Sequence, residues 1–403
     1  MRALSALLIL VVTACSAPKD PSDDPLDWVV DPALTYEPVV SEPRWVVPQL
    51  IPAEARPSKA SNNNVAIQHF GGRLYMAWRT SDLHFPLPDT FIHLASSADD
   101  GATWRFEKTF GMNHDLREPL FLSMNGELCF HFFQGSAVEF EFKALAQWRT
   151  CLARDGSWPE PERWASDGEI TWDMKVRGGA AFRSFYTGTH YEANPELQLH
   201  FETSTDGKTW QPVSGDGVVY RGGVSEAAFE PDDEGVLWAV TRNEDGDASG
   251  FGSHVCSAPR GDWGTWECNA KCDPERYDSP KMFRHGRELY LVARRDVGGP
   301  FDLGREGITR EEARLQYAAA YWGRPKRTAL YRIDRAARKV VHVVDLPGAG
   351  DTALPSIVRT GAHTFLIANY TSRLTDPDRT WLQGQSSAEG TRIYLVTLEL
   401  RAR

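Results

Sequence analysis

No stretch of this chain is rich in lysine and arginine. The balance runs the other way, 44 basic against 55 acidic side chains, for a formal net charge of −11. That excess argues against nucleic acid or an anionic lipid surface as the main partner, since both repel it. Long apolar runs are missing too. The one candidate, residues 4–12, is too short for a bilayer, which takes about 20 residues. Helical text is confined to 310–321. Cysteine is scarce, six in 403 residues, at spacings that fit no zinc pattern, so neither a metal nor another cofactor is expected.

The first residues read as targeting rather than structure. Arg2 precedes the apolar stretch, which ends in Val12-Thr13-Ala14-Cys15. Small residues ahead of a cysteine resemble a bacterial lipobox, in which Cys15 is lipidated. Ser16 rather than Asp follows, which favours the outer membrane of the cell envelope. Residues 1–15 are therefore a lipoprotein signal peptide. Residues 16–42, rich in Pro, Asp and Ser, are a disordered tether, and 43–403 are the folded domain. The lipid is the only membrane contact expected. Export permits disulfides. Cys129 and Cys151 fall on consecutive predicted strands, Cys256 faces Cys268 or Cys272 across a hairpin, and the odd count leaves one thiol free.

Beyond residue 43 the chain consists of short alternating strands separated by Gly, Asp, Asn and Pro turns. A unit of roughly 50–70 residues repeats six times. The units begin at Asn62, Asp115, Trp172, Ser225, Asp278 and Asp351. Ser97-Ala98-Asp99-Asp100-Gly101-Ala102-Thr103-Trp104 recurs in looser form as Thr203-Ser204-Thr205-Asp206-Gly207-Lys208-Thr209-Trp210. This is the Asp-box, a turn between the last two strands of a propeller blade. Its Asp and Ser bond turn backbone, its Gly takes a positive φ, and its Trp closes over the sheet. The expected fold is all-β, a six-bladed β-propeller, with residues 44–50 closing the last blade. A long insertion at 297–324 is a candidate lid.

In a propeller the start of each first strand and the end of each second strand face one rim. Here those positions are Asn62, Asn63, Asn64, Arg117, Glu118, Asp173, Glu226, Asp278 and Asp351, interleaved with Arg79, Tyr186, Arg242, Arg294, Arg295, Asn369 and Tyr370. A ring of carboxylates and arginines is suited to sugar chemistry. Trp78, Trp172, Tyr186, Trp238 and Tyr370 are candidates to stack on sugar faces.

Over residues 44–400 the chain resembles the bacterial sialidase superfamily, on its Asp-boxes and on two further segments. Ser225-Glu226 followed by Val236–Arg242 resembles the fourth-blade segment that carries a carboxylate assisting the nucleophile and a substrate-binding arginine, which implies those roles for Glu226 and Arg242. Trp78-Arg79-Thr80-Ser81-Asp82 resembles the segment with a substrate-binding arginine and the acid/base Asp, implying Arg79 and either Asp82 or Asp89. By the same resemblance Arg327 falls at the third carboxylate-binding arginine and Glu118 at a position touching substrate. Two features depart from the family. Asn63-Asn64-Val65-Ala66 stands where an aromatic-Arg-Ile-Pro motif opens the first strand. Asp351-Thr352-Ala353 stands near the expected nucleophilic tyrosine, with Tyr370 the nearest tyrosine.

An incomplete clamp loses charge-assisted bonds to a carboxylate, which points to a neutral sugar. The first expectation is therefore a glycoside hydrolase with a non-sialic substrate. Asp82 is its acid, raised in pKa by burial, and Glu226 or Asp351 its base or nucleophile. Asn63, Arg79, Arg117, Glu118, Asp173, Arg242, Asp278, Arg295, Arg327 and Tyr370 hold the glycan. A sialidase with a rearranged clamp is marked by three arginines converging on one point. A non-catalytic propeller that binds glycan or protein is marked by carboxylates fully paired with arginines.

Overall fold

The computed structural model describes residues 30, 31, 33–52, 58–192 and 195–403. Cys15, the signal segment 1–15 and most of the tether lie outside the described residues. The chain is an all-β six-bladed propeller. Blade one comprises Ser61–Phe70, Arg73–Ser81, Phe91–Ser97 and Arg105–Gly111. Blades two to six open with Leu116–Met124, Ile170–Arg177, Ala227–Pro231, Asp278–His285 and Ser356–Arg359. Each blade is antiparallel, and the opening strands contact their neighbours around the ring.

The ring closes through the N-terminal segment. Arg44–Val47 pairs with the blade-six strand Arg392–Ala402, and so does Tyr36–Val40, which extends the sheet beyond it. Residues 36–40, expected within a disordered tether, are therefore part of the propeller. Their backbone covers a sheet edge that would otherwise present unpaired N–H and C=O groups. Core side chains come from alternate positions of facing blades. One cluster joins Val46, Val65, Trp78 and Trp104 to Tyr370 and Leu395, so blades one and six share a core across the closure. Disulfides join Cys129 to Cys151 and Cys256 to Cys268, leaving Cys272 free.

Both Ser–Asp–Gly–Thr–Trp turns are built as their residues dictate. Ser97 Oγ accepts from Gly101 N at 2.7 Å, and Asp99 accepts from Thr103 N at 2.8 Å and Thr103 Oγ1 at 2.6 Å. These donors hold the exposed Asp99 carboxyl down at about 2. Trp104 Nε1 donates to Gly101 O at 3.1 Å. Gly101 has φ +84°, and a Cβ there would meet Leu395 Cδ1 at 2.6 Å, so the box also packs blade one against blade six. In the second box Ser204 and Asp206 take the same parts, and Gly207 packs on Leu122 of blade two. Gly101→Ala combines a left-handed backbone with a clash at a blade junction and is expected to cost about 2–4 kcal/mol, read as a lower urea midpoint. Unchanged stability would show that the junction gives way freely.

Candidate functional site

The opening strands do not run straight into the rim. Their pairing registers slip between Asn63 and Val65, Arg117 and Leu120, Thr171 and Asp173, and Asp278 and Lys281. Asn64, Glu118, Ser279 and Ala353 have φ of +45°, +49°, +53° and +68°. Bulges of this kind re-aim side chains. A left-handed backbone at four non-glycine positions of one ring is a concentration of strain of the sort found at functional sites.

The re-aimed Trp172 closes the central channel. Its Nε1 donates to Pro280 O of blade five at 3.2 Å, and its ring packs with Val65 of blade one and Leu354 and Tyr370 of blade six. On the far side of this indole lies a cavity of about 160 Å³ lined by Asp173, Lys175, Lys281 and Ser356 among others. On the near side lies the rim.

Arg242, from the end of the second blade-four strand, meets Glu226 at 2.8 Å and Glu244 at 2.9 Å. Glu244 also holds Arg276 at 2.7 Å. Arg276 passes to Asp278, which takes Arg294 at 2.9 Å and the Tyr321 hydroxyl at 2.6 Å. Arg294 donates onward to the carbonyls of Thr352 and Ala353 in blade six, at 2.6 and 2.8 Å. Tyr370 and the His84 ring then meet Asp351, at 3.4 and 2.6 Å. A second group closes the circle: Asp115 binds both Arg79, at 2.9 Å, and Arg117.

Burial alone would raise the Glu244, Asp278 and Asp115 carboxyls, but their arginines hold all three below the usual range, Glu244 well below it. Glu226 goes the other way. Burial, reinforced by the Asp278 and Glu244 charges, outweighs Arg242 and the Ser279 N–H at 2.7 Å and lifts it to about 7. Burial also raises Glu118, a carboxyl that stands partly buried at the rim. Burial pushes the Tyr370 phenol well above its ordinary value.

Glu226, Asp351, Asn63, Arg79, Arg117, Glu118, Arg242, Asp278 and Tyr370 are thus brought to one rim, as expected from the sequence. Four others are not. Asp82, expected to be buried, has a side chain 70% exposed and pairs with Lys59 at 3.0 Å. Arg295 binds Asp345 on the blade surface, and its cross-strand partner Arg327 donates to Pro377 O at 2.7 Å. Strand neighbours face opposite ways, so Arg294 at the rim puts Arg295 outside it. Asp173 lies beyond Trp172, paired with Lys175 at 3.0 Å. Trp78 and Trp238 are core, the latter bonded to Asp232 at a turn of the opposite face. Arg79 and Arg117 reach the rim but spend their donors on Asp115 and on loop carbonyls.

The sequence reading missed His84, Glu244 and Arg276, which lie on connections rather than at strand ends. Glu244 comes from a hairpin inserted in blade four, Asn243–Asp247 with Gly250–Gly252. The 297–324 insertion carries the helix Arg310–Trp322, started by a Thr309/Glu312 capping box. It does not hang as a loose flap. Phe301, Tyr317 and Tyr321 pack with Phe251 and Trp381. The Arg276 guanidinium lies 4.2 Å from the Tyr321 ring and that of Arg294 4.8 Å from Trp381. Among the described residues no group of His, Cys, Asp and Glu is placed to hold a metal.

No protein-family model matches the chain, and no curated protein matches it. Solved structures do. A protein of unknown function from Dyadobacter fermentans superposes with a TM-score of 0.59 at 12% identity, over 90% of this chain and 99% of that one. A Trypanosoma rangeli sialidase gives 0.53 at 12% identity over 90% of this chain, which spans 59% of the sialidase's length. The endosialidase of phage phi92 gives 0.55 at 10% identity, over 91% of this chain and 70% of the other. The fold is that of sialidase-like propellers.

The Glu226 carboxyl, lifted from 4.5 to about 7 on folding, favours the fold while protonated, fully below pH 4.5, and that contribution is lost as pH rises through about 7. Glu226→Gln keeps the neutral form. Relative to wild type it is expected to gain about 1–3 kcal/mol between pH 4.5 and 7 and to level off above. Urea titrations across that range check this; a difference that does not vary with pH would mean an ordinary Glu226.

Proposed function

We propose that the rim is the active site of a sialidase-like glycoside hydrolase whose substrate is a glycan not held by an arginine clamp. The observation that carries this is Glu226, a carboxyl buried against Arg242 and the Ser279 N–H whose pKa burial raises to about 7, on the same rim as the partly buried Glu118. A carboxylic acid protonated at the working pH is what protonation of a glycosidic oxygen needs. The base belongs at the end of the rim where Asp351 sits, between blades six and one. Tyr191, 45% exposed at φ +68° and stacked 3.6 Å from His190, offers a sugar a flat face at the mouth.

Arg242, Arg276 and Arg294 stand side by side, but Glu244 and Asp278 occupy them. This weighs against a substrate carboxylate taking that place, and so against an ordinary sialidase. The completeness of the same pairing favours a second reading, a propeller that binds glycan without cleaving it.

A panel of chromogenic glycosides, sialic acid beside neutral pyranosides and furanosides, separates these. Release of a neutral sugar is expected, with kcat/KM falling as pH rises through about 7 and Glu226→Gln losing 10²-fold or more. Sialic acid release would overturn the occupied-clamp argument, and no turnover would favour the binding disc. Lipidation at Cys15 is proposed on the sequence around it, and with it a place at the bacterial envelope. Cys15→Ser is expected to abolish palmitate labelling and release the protein from membranes; labelling that persists would sink that placement.

A further inference from the structure

We propose that His84 is the general base of the rim site and that Asp351, expected to serve as base or nucleophile itself, is its positioning residue. The inference rests on the hydrolase reading above.

His84 is not a loose loop residue. Three consecutive carbonyls of its loop are held by two buried arginines. Arg79 donates to Leu83 O at 3.4 Å and Phe85 O at 3.0 Å, and Arg117 donates to His84 O at 2.7 Å. The His84 N–H donates to Gln385 O, in the short helix Trp381–Gln385. Asp115 neutralises both arginines. Two arginines that looked like substrate ligands instead fix the backbone that delivers the imidazole, ring to ring with Tyr370 at 5.9 Å.

The side-chain bond sets the tautomer. Asp351 Oδ2 lies 2.6 Å from Nδ1. A carboxylate only accepts, so Nδ1 carries the proton and Nε2 keeps its lone pair. Nε2 meets no hydrogen-bonding group among the described residues. Asp351 is fully enclosed, whereas 11% of the His84 side chain remains exposed, so in this pair the imidazole, not the carboxylate, can touch water. The charged groups around the ring are Asp351, which favours the imidazolium, and Arg117 and Arg79, which oppose it. Burial, joined by the two arginines, outweighs Asp351 and lowers the pKa below 6.5, leaving a neutral ring at pH 7.

In the step this supports, Nε2 takes a proton from water as the water oxygen bonds to the anomeric carbon. The bond to the leaving oxygen breaks with its electron pair on that oxygen, which takes the Glu226 proton. Solvent then removes the imidazolium proton and restores that of Glu226. A one-step displacement inverts the anomeric centre.

Two measurements on the full chain test this. Histidine-selective ¹⁵N labelling and long-range ¹H–¹⁵N correlation read the tautomer without any substrate. The Nδ1–H form is expected for His84 at pH 7, giving way to a mixture in Asp351→Asn. An Nε2–H ring or an imidazolium at pH 7 overturns the proposal. On a glycoside that the wild type cleaves, His84→Ala is expected to lose 10²–10⁴-fold in kcat and to regain part of it with added imidazole, which a merely structural residue would not show. The acid limb, set by His84, should move to lower pH in Asp351→Asn, because an anion beside the ring is gone. If the wild type cleaves a glycoside and His84→Ala cleaves it equally, this inference falls and the hydrolase reading stands. If the wild type cleaves nothing, the hydrolase reading falls and takes the catalytic role with it.

Discussion

Two carboxylates shared among three buried arginines set the terms for the rest of this rim. Arg242, Arg276 and Arg294 enter the same low-dielectric space from blades four and five, and without Glu244 and Asp278 between them their charges would repel and lack solvation. Holding those carboxylates ionised concentrates negative charge beside Glu226, and that charge helps push Glu226 the other way. One cluster thus yields strongly acidic carboxyls and a weakly acidic one within a single ion-pair network, the division of labour that acid–base chemistry uses.

The insertions depend on the same constraint. The blade-four hairpin exists at the rim because it brings Glu244 and Asp245. The blade-five helix brings Tyr321 to Asp278 and covers Arg276 with aromatic faces. The insertion that reads as a flap in the sequence is structurally the outer wall of an ion-pair network. Removing one arginine would leave a buried carboxylate short of a partner, so the wall and the network stand together. The open side of the rim is the other half, where Glu118, Tyr191 and the His84 loop meet solvent.

Much of the architecture was legible in the sequence. The six strand-turn repeats reappear, with opening strands from Ser61, Leu116, Ile170, Ala227, Asp278 and Ser356, the last of these five residues beyond the expected Asp351, and both Ser–Asp–Gly turns form. Each is a local matter: a turn whose Asp binds its own backbone, or a strand whose side chains alternate. The rim residues Glu226, Arg242 and Tyr370 were found because strand ends in a propeller share one face. Arg295 falls off the rim because one residue along a strand reverses its face, and Asp82 because it lies just past the end of the strand Arg73–Ser81, on a loop. His84 and Arg276 went unseen because they lie on loops, which carry no period, and Glu244 because it lies on a short inserted hairpin outside the blade repeat.

Sequence by itself determined the blades, their number and the face on which polar chemistry collects, since these follow from hydrogen bonds and alternation within about ten residues. Only the tertiary structure decided which charge meets which. Arg79 beside Asp115, His84 beside Asp351 and Arg276 between Glu244 and Asp278 are separated by 36, 267, 32 and 2 positions. Their pairing is set by how six blades close on one axis. The functional character of a carboxylate comes from that pairing: Glu226 and Glu244 are the same side chain, buried to the same degree, and differ in how many arginines they meet.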